Sequence, residues 1–185
     1  MIAALIGVSD SRILMSACQM GVAMQFTNIA RDIGEDARNG RLYLPKKWLR
    51  QTGLCPETWL KQPNHCKQVA SVTKRLLLAA EECYRAATPA VYLLPKDCRA
   101  SLLSARYIYG EIGQKIKENG YNSVDKRAFV PFLRKIELIL KSFHGNLVPR
   151  VFVALDERKE FISKASNEFL VKSMMNDRKI KRCCT

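Results

Sequence analysis

The sequence is poor in the residues that build metal centres and disulfide frameworks. It has two histidines, His65 and His144, which stand far apart in the chain, so a zinc site has little support. Its seven cysteines are odd in number and form no C-x-x-C pair. That pattern favours reduced thiols in a cytosol-like compartment over a set of disulfide bonds.

Long apolar runs and strand patterns are missing as well. The longest apolar run, residues 1–8, is much too short to span a membrane, and no basic segment precedes it as in a secretory signal. No alternating stretch of Val, Ile and Thr is long enough to predict a strand. The chain is therefore predicted to be all-α and cytoplasmic.

What the sequence does contain is helical periodicity along most of its 185 residues. With 48% hydrophobic residues it can bury the core of one globular unit. Breaks, one of them at Pro89, separate long helices predicted near residues 10–38, 65–87, 96–118, 125–143 and 150–176, with one or two short helices between 45 and 61. Residues 1–149 form the predicted domain, and residues 150–185 form an amphipathic basic helical tail of unassigned role.

The positive charge is large and unevenly placed. The formal net charge is +14, and residues 1–45 contribute none of it, since they hold four basic and four acidic residues. An excess confined to the rest of the chain suits an anionic partner: a nucleic acid, an acidic membrane surface or a phosphorylated substrate. A lysine-rich solvated surface explains the same composition equally well.

A polar stripe runs along an otherwise apolar predicted helix. At about 100 degrees per residue, an arc of about 80 degrees holds the oxygen-bearing side chains of Gln25, Asn28, Asp32 and Asp36. An apolar seam lies directly beside it and consists of Val22, Phe26, Ile29 and Ile33.

Two interpretations of this stripe are equally supported by the residues alone. A row of oxygen ligands suits a hard divalent cation such as Mg²⁺, and the flanking Arg31 and Arg41 suit phosphate, which together indicate a metal–diphosphate site. A solvated face near a helix end, with Gly40 as its C′ cap and Asp–Arg pairs at helical spacing, has the same residues.

Two segments resemble a known family. GVAMQFTNIARDIGEDARNGRLYLP, residues 21–45, is similar to the second aspartate-rich motif of the squalene and phytoene synthases, down to the trailing R-x-Y-L-P. SARYIYGEIGQKIKENGYNSVDKRAFVPFLRKIELIL, residues 104–140, resembles the late helices of the family in its phytoene synthase form. The resemblance covers residues 1–143 and implies an isoprenoid-synthase-type helical bundle, of which this chain holds an incomplete C-terminal half.

The resemblance also implies roles for individual residues. Asp32 and Asp36 match catalytic aspartates, and with Gln25 and Asn28 they match the metal and diphosphate contacts of the second motif. Positions that contact diphosphate or line the site are matched by Arg31, Arg41, Tyr43, Tyr109 and Arg127. The rings of Tyr107, Tyr109 and Phe132 are able to stabilise passing positive charge, although core packing is the more common role of each.

The family joins two isoprenoid diphosphates head to head. Its phytoene synthase form predicts that two geranylgeranyl diphosphates give phytoene through prephytoene diphosphate, and conversion of farnesyl diphosphate through presqualene diphosphate to squalene is the weaker alternative. Mg²⁺, with Mn²⁺ as a substitute, is the implied cofactor because a Lewis acid assists diphosphate release. NADPH is not indicated. Since prenyl tails are apolar, we expect peripheral membrane association.

The chain departs from the family in one respect: its only D-x-x-x-D is that of Asp32 and Asp36, and a first aspartate-rich motif is missing. We therefore expect a C-terminal fragment or the product of a split reading frame. Such a half should expose the apolar seam of its first helix, and so self-associate or need a complementary N-terminal chain. A non-catalytic helical partner of a full-length synthase is the alternative from another class. A basic nucleic-acid binder rests on charge alone, and we expect no nucleic acid partner.

Overall fold

The computed structural model describes residues 11–146, except for the side chains of residues 11, 12, 96, 97 and 144–146. The predicted helix at residues 150–176 and the rest of the tail lie outside this range. Within it the chain is helical and has no strand. The helices are α1 Ser11–Arg31, α2 Ile33–Arg38, α3 Lys46–Gln51, α4 Pro56–Lys61, α5 Lys67–Val91, α6 Lys96–Glu118 and α7 Phe132–Asn146.

The predicted helix at residues 10–38 is interrupted at Asp32, which separates α1 from α2. The backbone of Asp32 has φ −99° and ψ 12°, away from the helical minimum. The cause lies two residues further on, because the backbone N–H of Gly34 donates to the carbonyl oxygen of Ser123 at 3.0 Å and not to a carbonyl of its own helix. A distant loop thus takes the place of one helical hydrogen bond.

The break predicted at Pro89 is wrong, since α5 continues to Val91. Proline removes the N–H that would bond the carbonyl oxygen of Arg85, but only two helical residues follow Pro89, so the helix has little length left to be disrupted. The hydroxyl of Thr88 donates to the carbonyl oxygen of Tyr84 at 2.6 Å and stabilises this turn.

The helix predicted from residue 125 begins at Phe132, seven residues later. α6 ends at Glu118, and just beyond it the N–H groups of Gly120 and Tyr121 donate to the carbonyls of Lys117 and Ile116, a Schellman arrangement. Pro131 precedes α7 and restricts residue 130 to extended conformations. Residues 119–131 therefore form a loop.

The core lies between α1 and α5, with α6 packed on both and α7 packed on α6. Phe26, Ile29 and Ile33 of the apolar seam are buried in this arrangement. The expectation that the seam of the first predicted helix would be exposed is therefore wrong for these three residues. For Phe26 and Ile29 the reason is that α5 of the same chain lies against α1. No helix among the described residues is long and apolar enough to cross a membrane.

Candidate functional site

Asp32 lies at the centre of a cluster of charged side chains at the junction of α1 and α2. Arg31 donates to both of its carboxylate oxygens, from Nε at 2.8 Å and from a terminal nitrogen at 2.7 Å. Arg127, from the loop between α6 and α7, donates to Asp32 at 2.9 Å and lies 3.3 Å from Glu35. The structure thus brings together three of the predicted site residues, two of them 95 positions apart.

The loop of residues 119–131 is held against α2 through its backbone. In addition to the Gly34–Ser123 hydrogen bond, Arg38 donates to the carbonyl oxygen of Val124 at 3.1 Å. Gly34 has no Cβ, and one placed there would overlap the carbonyl oxygen of Val124 and lie 2.7 Å from its carbonyl carbon. Only glycine allows the loop this close, and the close approach carries Arg127 to Asp32.

The charges around the two aspartates act in opposite directions. Burial opposes ionisation of Asp32, but the hydrogen bonds from Arg31 and Arg127 outweigh it and lower the pKa of Asp32 below its ordinary value of 3.8. The pKa of Asp36 is raised by burial and by the negative charge of Asp32, with Arg41 opposing the rise. The negative charge of the Asp32 carboxylate is therefore balanced by two guanidinium groups. The surroundings of Asp36 do not fully offset the charge of its carboxylate.

Asp36 lies beside the segment that follows α2. Its backbone carbonyl accepts the N–H of Arg41 at 2.8 Å, and Gly40, with φ 70°, donates to Ala37 at 2.9 Å, which completes the predicted glycine cap. Asp36, Arg41 and Tyr43 line one small crevice of about 10 Å³. Among the described side chains of residues 13–143, none donates a hydrogen bond to the Asp36 carboxylate, in contrast to Asp32.

Gln25 and Asn28 keep their helical spacing from the aspartates in spite of the interruption. The N–H of Asp32 donates to the carbonyl of Asn28 at 2.9 Å, and the N–H of Asp36 donates to that of Asp32 at 2.8 Å. Gln25 is exposed and Asn28 half-buried, so amide oxygens precede the carboxylates along this surface. Within the described part of the chain, no group of three or more His, Cys, Asp and Glu residues is arranged to hold a metal ion.

Tyr109 lines a different cavity, of about 300 Å³, between α1, α5 and α6. The hydroxyl groups of Thr27 and Tyr84 lie 3.2 Å apart within it, and burial raises the pKa of Tyr84 to about 12. Tyr109 is close enough to Arg31 to act on that guanidinium electrostatically. Of the other aromatic candidates, Tyr107 is half-buried, and Phe132 is 71% exposed and lines neither this cavity nor the crevice beside Asp36.

Sequence reasoning missed the residues that position the cluster. Gly34 and Ser123 hold the loop, and Glu35 shares Arg127 with Asp32. A glycine inside an otherwise regular helical pattern was the one available signal, since it marks a place where another backbone can approach. Nothing in the sequence indicated the carbonyl group that would approach it.

These features define a class of protein, namely an all-α chain with an aspartate–arginine cluster at a helix junction, and comparison with known proteins agrees. A family model described as squalene/phytoene synthase matches residues 1–134. The chain belongs to the squalene/phytoene synthase family.

Known relatives carry the comparison further. A phytoene synthase of Cereibacter sphaeroides is 45% identical over 136 residues, 74% of this chain and 38% of that protein. One from Rhodobacter capsulatus is 41% identical over 142 residues, 77% of this chain and 42% of that protein. A crystal structure of a dehydrosqualene synthase in complex with ligand has the same fold, with a TM-score of 0.63 at 33% identity over 72% of this chain and 47% of that one. The chain thus spans less than half the length of these proteins and has the isoprenoid-synthase helical fold.

Proposed function

We propose that this chain supplies the second metal- and diphosphate-binding half of a site for head-to-head condensation of two prenyl diphosphates, with two geranylgeranyl diphosphates giving phytoene. The observation that carries the proposal is the cluster in which Arg31 and Arg127 meet at Asp32, one turn from Asp36. Its residue types are those that recognise diphosphate and a hard cation. The 45% identical phytoene synthase favours the geranylgeranyl substrate over the farnesyl one.

The donor set fits one side of a divalent-cation site. The pKa of Asp36 is raised because burial and the nearby charge of Asp32 disfavour its ionised form, and a bound cation would relieve that repulsion. Asp32, Asp36, Asn28 and Gln25 would hold Mg²⁺ or Mn²⁺ together with ligands from outside this chain. When bound, such an ion would supply Lewis-acid assistance to diphosphate departure.

The arginines of this chain would bind the substrate diphosphate directly. Arg127 is 58% exposed in its side chain and is shared between Asp32 and Glu35, so it can turn to a third anion at the cost of two half-solvated ion pairs. Arg41 makes no salt bridge to a described residue. It is close enough to the Asp36 carboxylate for its positive charge to act on that group. Tyr43, 55% exposed, lies beside Arg41 and would cover the bound group from water.

We also propose that the chain acts with a complementary half. The match covers only 38% and 42% of the first two relatives, and the sequence of this chain holds only one D-x-x-x-D. The opposing aspartates and the remaining cavity wall would come from an N-terminal chain or segment. The partial coverage of the relatives also favours the second candidate function, that of a non-catalytic helical partner that binds a full-length synthase.

A complementation assay separates the two functions. The chain would be co-expressed with the part of the Cereibacter sphaeroides phytoene synthase that it does not span, and the purified mixture given geranylgeranyl diphosphate and Mg²⁺. We expect phytoene from the mixture, and a loss of at least about a hundredfold for Asp36→Asn, as for other groups that stabilise charge in the transition state. Glu82→Gln, an exposed substitution on α5, is the matched control and should be without effect.

The outcomes distinguish the candidates. Phytoene formation that needs Asp36 of this chain supports the synthase half. The partner function predicts instead that this chain raises the yield of an intact relative and that Asp36→Asn leaves that effect unchanged. Product from farnesyl diphosphate but not from geranylgeranyl diphosphate would replace the proposed substrate with the shorter one.

A further inference from the structure

α7 presents an apolar face to solvent. Within the helix, side chains of Phe132, Leu133, Ile136, Ile139 and Phe143 share an arc of about 120 degrees, and all are exposed. Phe129 in the preceding loop adds to this surface. Phe129, Phe132 and Phe143 are 68%, 71% and 56% exposed and alone leave roughly 400 Å² of aromatic surface, a patch that monomeric proteins seldom leave uncovered.

The opposite side of α7 is the one that holds it to the rest of the protein. Leu138 and Ser142 are buried against α6, where the hydroxyl groups of Ser142 and Ser104 lie 2.7 Å apart. Arg134 donates to both carboxylate oxygens of Glu111 at 3.0 and 3.2 Å. The helix is therefore attached by its own polar and apolar contacts, and the exposed face is additional to the face that binds the core.

Positive charge borders this apolar face. Residues 125–143 hold five Lys and Arg residues against two acidic ones. Lys135 lies about 40 degrees outside one edge of the arc, with its ammonium group 5.3 Å from the centre of the Phe129 ring. Lys141 lies about 80 degrees beyond the other edge, with its ammonium group 5.3 Å from the centre of the Tyr107 ring on α6, and Glu137, between that edge and Lys141, is paired with Arg134 at 2.6 Å. Lys126 in the loop is exposed, and none of these three lysines has a salt bridge to a residue that the structure describes.

We propose that the face formed by Phe129, Phe132, Leu133, Ile136, Ile139 and Phe143 docks on an anionic lipid surface, with Lys126, Lys135 and Lys141 at the headgroups. An apolar stripe with lysines on its flanks is the pattern of a helix that lies in a membrane interface, where lysine stems lie along the apolar region and the charged ends stay in water. At 15 residues α7 is about 22 Å long, too short to span, so it lies in the surface.

The charges decide between a lipid surface and a second copy of the chain. If two copies met through this face, the lysines nearest to it, Lys126 and Lys135, would approach those of the other copy, and like charges would repel. An anionic surface is attracted by these two lysines and, at longer range, by Lys141. The proposal does not depend on the enzymatic one, because it uses no residue of the Asp32 cluster.

Vesicle sedimentation tests the proposal with the full chain. Vesicles of phosphatidylcholine with about a third phosphatidylglycerol would be compared with phosphatidylcholine alone at low salt. We expect the unmodified chain to bind the anionic vesicles at least about tenfold more tightly than the neutral ones. The double variant Phe132→Gln, Leu133→Gln should bind the anionic vesicles at least about tenfold more weakly than the unmodified chain. Leu78→Gln, at a 52% exposed leucine on α5, is the matched control and should bind like the unmodified chain.

Lysine variants distinguish vesicle binding through this face from the nonspecific attraction of a basic protein to an anionic surface. Lys126→Gln, Lys135→Gln and Lys141→Gln together should weaken binding much more than the same change at the exposed Lys47, Lys67 and Lys74. Equal effects of the two triple variants would overturn the proposal, as would binding that ignores Phe132 and Leu133. If Phe132→Gln with Leu133→Gln dissociates a dimer and leaves vesicle binding intact, the face is an interface between copies. Far-UV circular dichroism and unfolding curves of each variant check that it is folded.

Discussion

Replacing Gly34 by alanine tests whether the backbone of α2 holds the loop of residues 119–131 in place. The added Cβ would overlap the carbonyl oxygen of Val124, and because this is backbone and not the end of a flexible side chain, the loop must move. The movement would stretch the hydrogen bonds from Gly34 to Ser123 and from Arg38 to Val124.

The expected destabilisation is about 2–4 kcal/mol. Overpacking of a tight contact costs about 1–3 kcal/mol, and each weakened hydrogen bond adds about 1 kcal/mol. Alanine in place of glycine in a helix offsets about 0.5–1 kcal/mol of this sum. The free energy of unfolding would be measured by guanidinium chloride titration of the full chain, followed by far-UV circular dichroism.

Gly21→Ala is the matched control, because a Cβ at this α1 glycine meets nothing within 4 Å. We expect it to stabilise the chain by about 0.5–1 kcal/mol. If Gly34→Ala were as stable as Gly21→Ala, the loop would not depend on the close approach at Gly34, and the explanation of how Arg127 reaches Asp32 would be refuted.

Three further changes have expected outcomes. Arg127→Ala should raise the pKa of Asp32, measured by carbon NMR of the carboxyl groups, because one of its two hydrogen-bond donors is lost, whereas Arg134→Ala should leave it unchanged. Asp36→Asn should stabilise the chain relative to the unmodified protein at neutral pH but not at low pH: the pKa of Asp36 is raised on folding, so stability falls as the pH rises from 3.8 through the folded pKa, and the amide removes that loss. An advantage that is the same at all pH values would contradict this. Tyr84→Phe should cost about 1 kcal/mol through the lost contact with Thr27 and should remove one tyrosine that ionises near pH 12 in an ultraviolet titration.

The sequence predicted the helical class and most of the helices because apolar periodicity is a local property. The cap at Gly40 and the start of α6 at residue 96 followed from residues close in sequence. The stripe of Asn28, Asp32 and Asp36 also kept the predicted spacing of one turn. Their proposed roles stay predictions, since position along a helix does not show what a side chain binds.

What could not be predicted depends on contacts between distant segments. The interruption at Asp32 is caused by Ser123, and the salt bridge of Asp32 joins residues 95 positions apart. Burial of Phe26 and Ile29 likewise depends on α5, which is distant in sequence, whereas the sequence analysis expected the seam of the first helix to have no partner within this chain. The exposed face of α7 was missed because an amphipathic helix is usually assumed to turn its apolar side inward.

Calorimetric titration of the full chain with inorganic pyrophosphate, with and without Mg²⁺, tests most directly whether the Asp32 cluster is a metal-dependent diphosphate site. We predict binding that requires Mg²⁺, is weakened at least about tenfold by Asp36→Asn and is unchanged by Glu82→Gln. The charge of the basic surface would explain binding that is equally tight without Mg²⁺ or in Asp36→Asn. Either of those results, or no binding at all, would contradict the proposed site.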